Sequence, residues 1–169
     1  FPEWKCILYG EGNGRGTVET LLQESSYKER VILAGKQGNI QHKIYESSIF
    51  VLPSNCEGMP NALIEAMALG LAVISTDCPC GGPREVIQDG ENGLLIPVGD
   101  KDALVKALER ILGDDDFANK LGTNAAKIQE KLNPLKVNKM WQDMIENKRV
   151  VFYLGSLAKG GAERVVTNL

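Results

Sequence analysis

The sequence predicts an α/β fold: a Rossmann-like parallel sheet with helices on both faces, followed by a C-terminal helical extension. Three observations carry this expectation. Short apolar runs alternate with helical patterns as far as Asp100, the signature of parallel strands joined by crossover helices. The strand-like runs are apolar almost throughout instead of alternating, as expected when helices cover both faces of a sheet. After Asp100 the character changes to three-to-four spacing of apolar residues, which is helical.

The elements follow in order. "KCILYG" (5–10) is the first strand, followed by glycines and a helix over 16–24. "RVILAG" (30–35) is the second strand and 39–46 the next helix. "IFVLPS" (49–54) is the third strand; the helix after it spans 60–69, with Pro60 suited to its first turn and Gly70 closing it. "AVISTD" (72–77) and a short "GLLIPV" (93–98) complete the set. The trailer reads as helices at 101–112, 115–132 and 136–148. Then "RVVFYLG" (149–155) returns to strand character, ahead of the loop "SLAKGGAE" and a helix beginning near Glu163. A strand opened again at that point needs a sheet to join.

Composition bounds the function. The chain has 169 residues, 43% hydrophobic and 24% charged, enough for one globular domain with a real core. A net charge of −3, a pI near 5.3 and the absence of lysine or arginine blocks leave no electrostatic footprint for nucleic acid. Any anionic ligand is therefore held locally. Cys6, Cys56, Cys78 and Cys80 lack the paired spacing of a zinc site, and with His42 as the one histidine a metal centre or a Ser-His-Asp triad is not expected. No signal peptide is recognisable, so the thiols are expected to be reduced, in a cytoplasmic protein. Cys78 and Cys80, flanking a proline in "DCPCGGP", read as loop thiols ahead of metal ligands or a redox pair. No apolar run reaches the length of a membrane span. Phe1 in place of a methionine suggests a fragment or a processed chain.

The stretch "EGMPNALIEAMALG" (57–70) holds the chemistry. Glu57 falls in a strand-to-helix loop and Glu65 about one turn into the following helix. Both can face the crevice beyond the carboxyl ends of the strands, where open α/β sheets bind ligands. The helix N-terminus between them offers N–H groups and a positive dipole end to phosphate, and carboxylates accept hydrogen bonds from sugar hydroxyls. Phosphate between two hydroxyl-bearing rings describes a nucleotide sugar. Taken without their neighbours, two glutamates at this spacing are more often a solvated loop residue and a surface helix residue.

The neighbours change that balance. The run "LPSNCEGMPNALIEAMALGLAVISTDCPCGGPREVIQDGENGLLIPVGD" (52–100) closely resembles the C-terminal, donor-binding domain of retaining glycosyltransferases with two Rossmann-like domains, the GT-B architecture, in the bacterial group-one family often called family four. The resemblance covers residues 1 to about 147, taken as one donor-binding domain, and includes that family's Glu-x7-Glu motif with "EAMALG", "VISTD" and "DGENGLL" around it. It implies that Glu57 contacts the donor sugar and is the candidate catalytic residue, and that Glu65 binds the ribose hydroxyls. It also implies that Gly58, Met59, Pro60, Asn61, Ala62 and Leu63 line the sugar and phosphate pocket. Lys36 stands where relatives shape the base pocket, although an exposed lysine is the default reading. The implied reaction transfers a sugar from a nucleoside diphosphate, UDP-sugars foremost, to a glycan or lipid-linked acceptor with retention and without a metal ion, in capsule or other polysaccharide assembly. The implied location is cytoplasmic, at the inner face of the membrane, with peripheral association of the parent enzyme.

Two departures from the family are visible. Its donor domain opens with a strand and a loop whose arginine and lysine grip the diphosphate, and this chain starts after that unit. Residues 148–169 instead resemble the opening of the family's acceptor-side domain, with Lys159, Gly160 and Gly161 as a phosphate loop or a simple glycine turn. The reversed order fits a permuted or fused chain, two joined reading frames, or a tail that fills the vacant strand position. "GEGNGRG" (10–16) lacks the GxGxxG spacing and reads as a glycine-rich turn, while Glu85 in "GGPREVI" belongs to a donor-bordering loop or starts a helix. A binding module or engineered scaffold of enzymatic ancestry is the alternative to a transferase.

Overall fold

The computed structural model describes residues 1–146, so the reopened strand and the loop with Lys159, Gly160 and Gly161 lie outside the described residues. The chain divides into two compact units, Phe1–Glu46 and the part that begins at Ser47.

The first unit contains β1 (Cys6–Tyr9), α1 (Arg15–Gln23), a single 3-10 turn at Lys28–Arg30, β2 (Val31–Gly35) and α2 (Ile40–Tyr45). β1 and β2 pair in parallel, Cys6 opposite Val31 through Leu8 opposite Leu33, with a shift before Tyr9 meets Gly35. "GEGNGRG" is a turn, as expected: Gly10 N–H donates to the Gly35 carbonyl at 2.9 Å, and Arg15 at the start of α1 bridges Glu11 and Glu19. Coverage of both strand faces is not achieved here. Ile7 and Leu8 are each 42% exposed and Ile32 is 44% exposed, because a two-stranded sheet offers little surface to bury against.

The second unit holds β3 (Ile49–Leu52), α3 (Asn61–Ala68), β4 (Ala72–Thr76), α4 (Gly82–Val86), β5 (Leu94–Ile96), α5 (Lys101–Leu112), α6 (Asp115–Ala125), α7 (Ile128–Lys131) and α8 (Pro134–Glu146). Its sheet is parallel in the order β3-β4-β5, with Ile49 opposite Ala72 and Ile74 opposite Leu94. Every residue of the central strand β4 is buried, which is why "AVIST" has no polar face to alternate. Ala72 and Ile74 join Leu94, Ile96, Ala107, Ile111 and Leu121 in one apolar cluster under α5 and α6. α3 contributes Leu63, Ala66 and Met67, all buried, to a layer in contact with β3, β4, α6 and α7.

Several boundaries have clear local causes. Gly70 adopts φ +79°, and Leu71 N–H reaches back to the Ala66 carbonyl, so α3 ends in a Schellman turn as its glycine predicts. Pro60 stands immediately before α3, not in its first turn; its carbonyl accepts the first helical hydrogen bond, from Ile64. The expected helix over 115–132 is two helices, separated where Lys127, Gln129 and Glu130 bond to carbonyls three residues back, a 3-10 tightening. Glu85 lies in the first turn of α4, so of the two readings, a loop or a helix start, the helix start is the one observed.

The Asp100 carboxylate caps α5 by accepting from Ala103 N–H at 2.8 Å. Asp100→Ala is expected to lower stability by about 1 kcal/mol, checked by urea unfolding. No change would show that the cap contributes nothing.

Candidate functional site

The candidate site is built on the loop between β3 and α3. Leaving the sheet at Leu52, the chain passes Ser54, whose hydroxyl donates to Glu57 Oε1 at 2.7 Å. Thr76, at the end of β4, donates its hydroxyl to the Ser54 carbonyl, and Ser75 Oγ donates to the Leu52 carbonyl at 3.2 Å. Two buried hydroxyls on the central strand thereby fix the first residues of the loop. The half-buried Glu57 is held at both ends: Ser54 holds its carboxylate, and its carbonyl accepts from Gly82 N–H at 3.2 Å.

Gly82 is there because nothing larger fits. A Cβ on it would lie 2.0 Å from the Gly58 carbonyl oxygen and 2.5 Å from that of Glu57, so the β3–α3 loop rests directly on the backbone at the start of α4. Gly81 just before it takes φ +78°, which turns the chain out of the β4 loop into that contact.

α3 then begins at Asn61 with no side chain capping it. Its first-turn N–H groups have no partner inside the helix, and they carry the positive end of the dipole. Asn61 and Ala62 are exposed, Met59 is 64% exposed, and Pro60 is buried. Leu63 is fully buried, so its side chain belongs to the core and only its backbone is available for a ligand role. Glu65, the fifth residue of α3, is half-buried. Lys36 is exposed and follows β2 in the first unit.

An open cleft of about 570 Å³ lies at the carboxyl ends of β4 and β5, lined among others by Asn55, Asp77, Pro79, Asp89 and Pro97. It does not include Glu57 or Glu65 in its lining. Asp77 pairs with Arg84 of α4 in a two-point contact, with Nε to Oδ1 at 2.8 Å and Nη2 to Oδ2 as the second. The Arg84 guanidinium holds the Asp77 carboxyl below its ordinary range, first by hydrogen bonding and then by charge. Asp89 Oδ1 accepts from Leu95 N–H at 2.9 Å, so one of its oxygens serves the backbone. The sequence reading missed these residues. The available signal was the acidic residue at the end of "VISTD", since strand ends of a parallel sheet line its crevice. Among the described residues there is no group of three or more metal-ligating side chains, and no helix long and apolar enough to cross a membrane.

Parallel strands, an anchored carboxylate after β3 and an uncapped helix start next to it define an α/β domain of the crevice-binding kind. Comparison with known proteins identifies it further: residues 1–128 match the family described as glycosyl transferases group 1, and the chain belongs to that family. It is 33% identical over 127 residues to the N-acetylgalactosamine-N,N'-diacetylbacillosaminyl-diphospho-undecaprenol 4-alpha-N-acetylgalactosaminyltransferase of Campylobacter jejuni, covering 75% of this chain and 34% of that protein. The lipopolysaccharide outer core galactosyltransferase WaaB, in its apo form, superposes with a TM-score of 0.74 at 27% identity, over 87% of this chain and 42% of WaaB. The Anabaena protein HepE in complex with UDP-glucose shares the fold, with a TM-score of 0.77 at 19% identity over 87% of this chain and 42% of HepE. The chain spans 15%, 41% and 33% of the length of three further curated relatives it matches.

Proposed function

We propose that residues 1–147 are the C-terminal, nucleotide-sugar donor-binding domain of a retaining glycosyltransferase that builds a glycan or lipid-linked glycoconjugate. The observation that carries it is the anchored Glu57 carboxylate, followed at once by the uncapped start of α3 with Glu65 on the same helix. Glu57 accepts hydrogen bonds from donor-sugar hydroxyls and is the candidate catalytic group. The backbone from Gly58 through Leu63 lines the diphosphate pocket and supplies N–H donors to it, but not from Pro60, which has none, nor from Asn61, whose N–H donates to the Met59 carbonyl at 3.0 Å. Glu65 accepts from the ribose hydroxyls. The transition state builds negative charge on the leaving diphosphate, and N–H groups already aimed at it stabilise that charge without a metal ion.

The names of the relatives support this reading. The Campylobacter protein is named for transfer to a diphospho-undecaprenol-linked sugar, and the HepE structure holds UDP-glucose. A UDP-sugar donor and a lipid-linked acceptor at the inner membrane face follow by analogy.

The test is a titration of the chain with UDP, GDP, ADP and UDP-N-acetylglucosamine, read by ligand-observed NMR. Glu65→Ala is expected to weaken the selected nucleotide about 10- to 100-fold, the worth of a charged hydrogen bond. Glu57→Ala is expected to weaken the UDP-sugar and leave UDP unchanged. Binding of no nucleotide, or equal affinity in wild type and Glu65→Ala, would overturn the assignment.

A further inference from the structure

The carboxylate of the β3–α3 loop is held by a neutral partner. Ser54 Oγ donates to Glu57 Oε1 at 2.7 Å, and both residues are half-buried. Among the described residues no lysine or arginine pairs with Glu57, and no second side chain hydrogen-bonds to its carboxylate. The kind of partner has a chemical consequence. A lysine or arginine would offset the negative charge and compete with an incoming hydroxyl, whereas a serine hydroxyl occupies one lone pair of Oε1 and leaves Oε2 open.

Ser54 is fixed in turn by the central strand. Thr76 donates its hydroxyl to the Ser54 carbonyl, and Ser75 Oγ donates to the Leu52 carbonyl at 3.2 Å, both from buried positions on β4. The Glu57 carbonyl accepts from Gly82 N–H at 3.2 Å, so the backbone and the side chain of Glu57 are tied at separate points. A glutamate left unrestrained gives up rotamer freedom when a ligand is held through it. The Ser54 contact removes that cost before any ligand arrives.

We propose that Ser54 is a positioning residue for the donor sugar: its hydroxyl fixes the Glu57 carboxylate so that Oε2 is presented to a sugar hydroxyl. The assignment rests on the donor-site reading above. Its effect is selective. Ser54 acts through Glu57 at the sugar end, while the nucleotide is held by the start of α3 and by Glu65, so the sugar-bearing donor depends on Ser54 and the bare nucleotide does not.

The test uses the full chain as wild type, Ser54→Ala, Ser54→Thr, Glu57→Ala and the double variant Ser54→Ala with Glu57→Ala. Each is titrated with UDP and with UDP-glucose by ligand-observed NMR, and its thermal unfolding is recorded. Ser54→Ala is expected to weaken UDP-glucose about two- to tenfold, the effect of one side chain no longer ordered in advance, and to leave UDP unchanged. Ser54→Thr keeps the hydroxyl and is expected to keep wild-type affinity. On the Glu57→Ala background, Ser54→Ala is expected to add no further loss, since no carboxylate is left to position.

Equal weakening of UDP and UDP-glucose by Ser54→Ala, with a lowered melting temperature, would make Ser54 a staple of the loop and overturn the proposal. So would wild-type UDP-glucose affinity in Ser54→Ala beside a weakened Glu57→Ala, or an equal loss in Ser54→Thr and Ser54→Ala. The same loss from Ser54→Ala with and without the Glu57 carboxylate also overturns it. Failure of the donor-site reading is seen separately, as a wild-type chain that binds neither ligand or a Glu57→Ala variant that binds UDP-glucose as wild type does. Either result removes the sugar-binding role of Glu57, and that of Ser54 with it.

Discussion

Leu121→Ala is expected to destabilise the unit that begins at Ser47 by about 3–5 kcal/mol, toward the upper end for leucine truncations in a core. Leu121 is fully buried on α6 and clusters with Ile74 of β4 and Ile111 of α5. The cost of such a truncation depends on whether the neighbours collapse into the void. Here they are prevented from doing so. The next residue, Gly122, lies so close to the sheet side that a Cβ on it would be 2.2 Å from the Gly70 carbonyl oxygen. α6 is therefore already in backbone contact with the turn after α3 and cannot move inward, so the cavity persists. Urea unfolding followed by circular dichroism measures the difference. A loss below about 1 kcal/mol would mean that α6 relaxes into the space and that the packing account is wrong.

Gly82→Ala is expected to remove nucleotide-sugar binding and to destabilise the same unit by about 2–3 kcal/mol. The added methyl would meet the carbonyl oxygens of Gly58 and Glu57, which are backbone atoms and cannot rotate aside. The β3–α3 loop must lift, breaking the Gly82 N–H contact to the Glu57 carbonyl and shifting the carboxylate that Ser54 holds. Gly38→Ala is the control, since no atom lies within 4 Å of a Cβ there; it is expected to stay within about 0.5 kcal/mol of wild type. Thermal unfolding and a UDP-sugar titration of both variants check the pair. Wild-type melting and wild-type binding in Gly82→Ala would show that the loop has slack the structure does not display.

Legibility in the sequence followed the range of the interaction involved. Among the described residues, the five strands appeared where short apolar runs predicted them, and the turn at Gly70 closed α3, because period and helix-end chemistry act within a few residues. The break between α6 and α7 was not visible, since apolar spacing continues across it and only the local bonding pattern departs. α4 was legible only through Glu85 as a helix-starting residue, since five residues starting at a glycine and a proline present no helical period to read.

The sequence by itself determined the class of the fold, the placement of Glu57 before α3 and of Glu65 within it, and, through "EGMPNALIEAMALG" and its surroundings, the family. Each of these is written in nearest neighbours along the chain. Only the tertiary structure decided that Ser54 and Gly82 hold Glu57 and that Arg84 pairs with Asp77. The Gly82–Glu57 contact joins the loops after β3 and β4, and parallel strands bring these loops together only once the sheet has formed. Spacing along the chain carries no record of that approach.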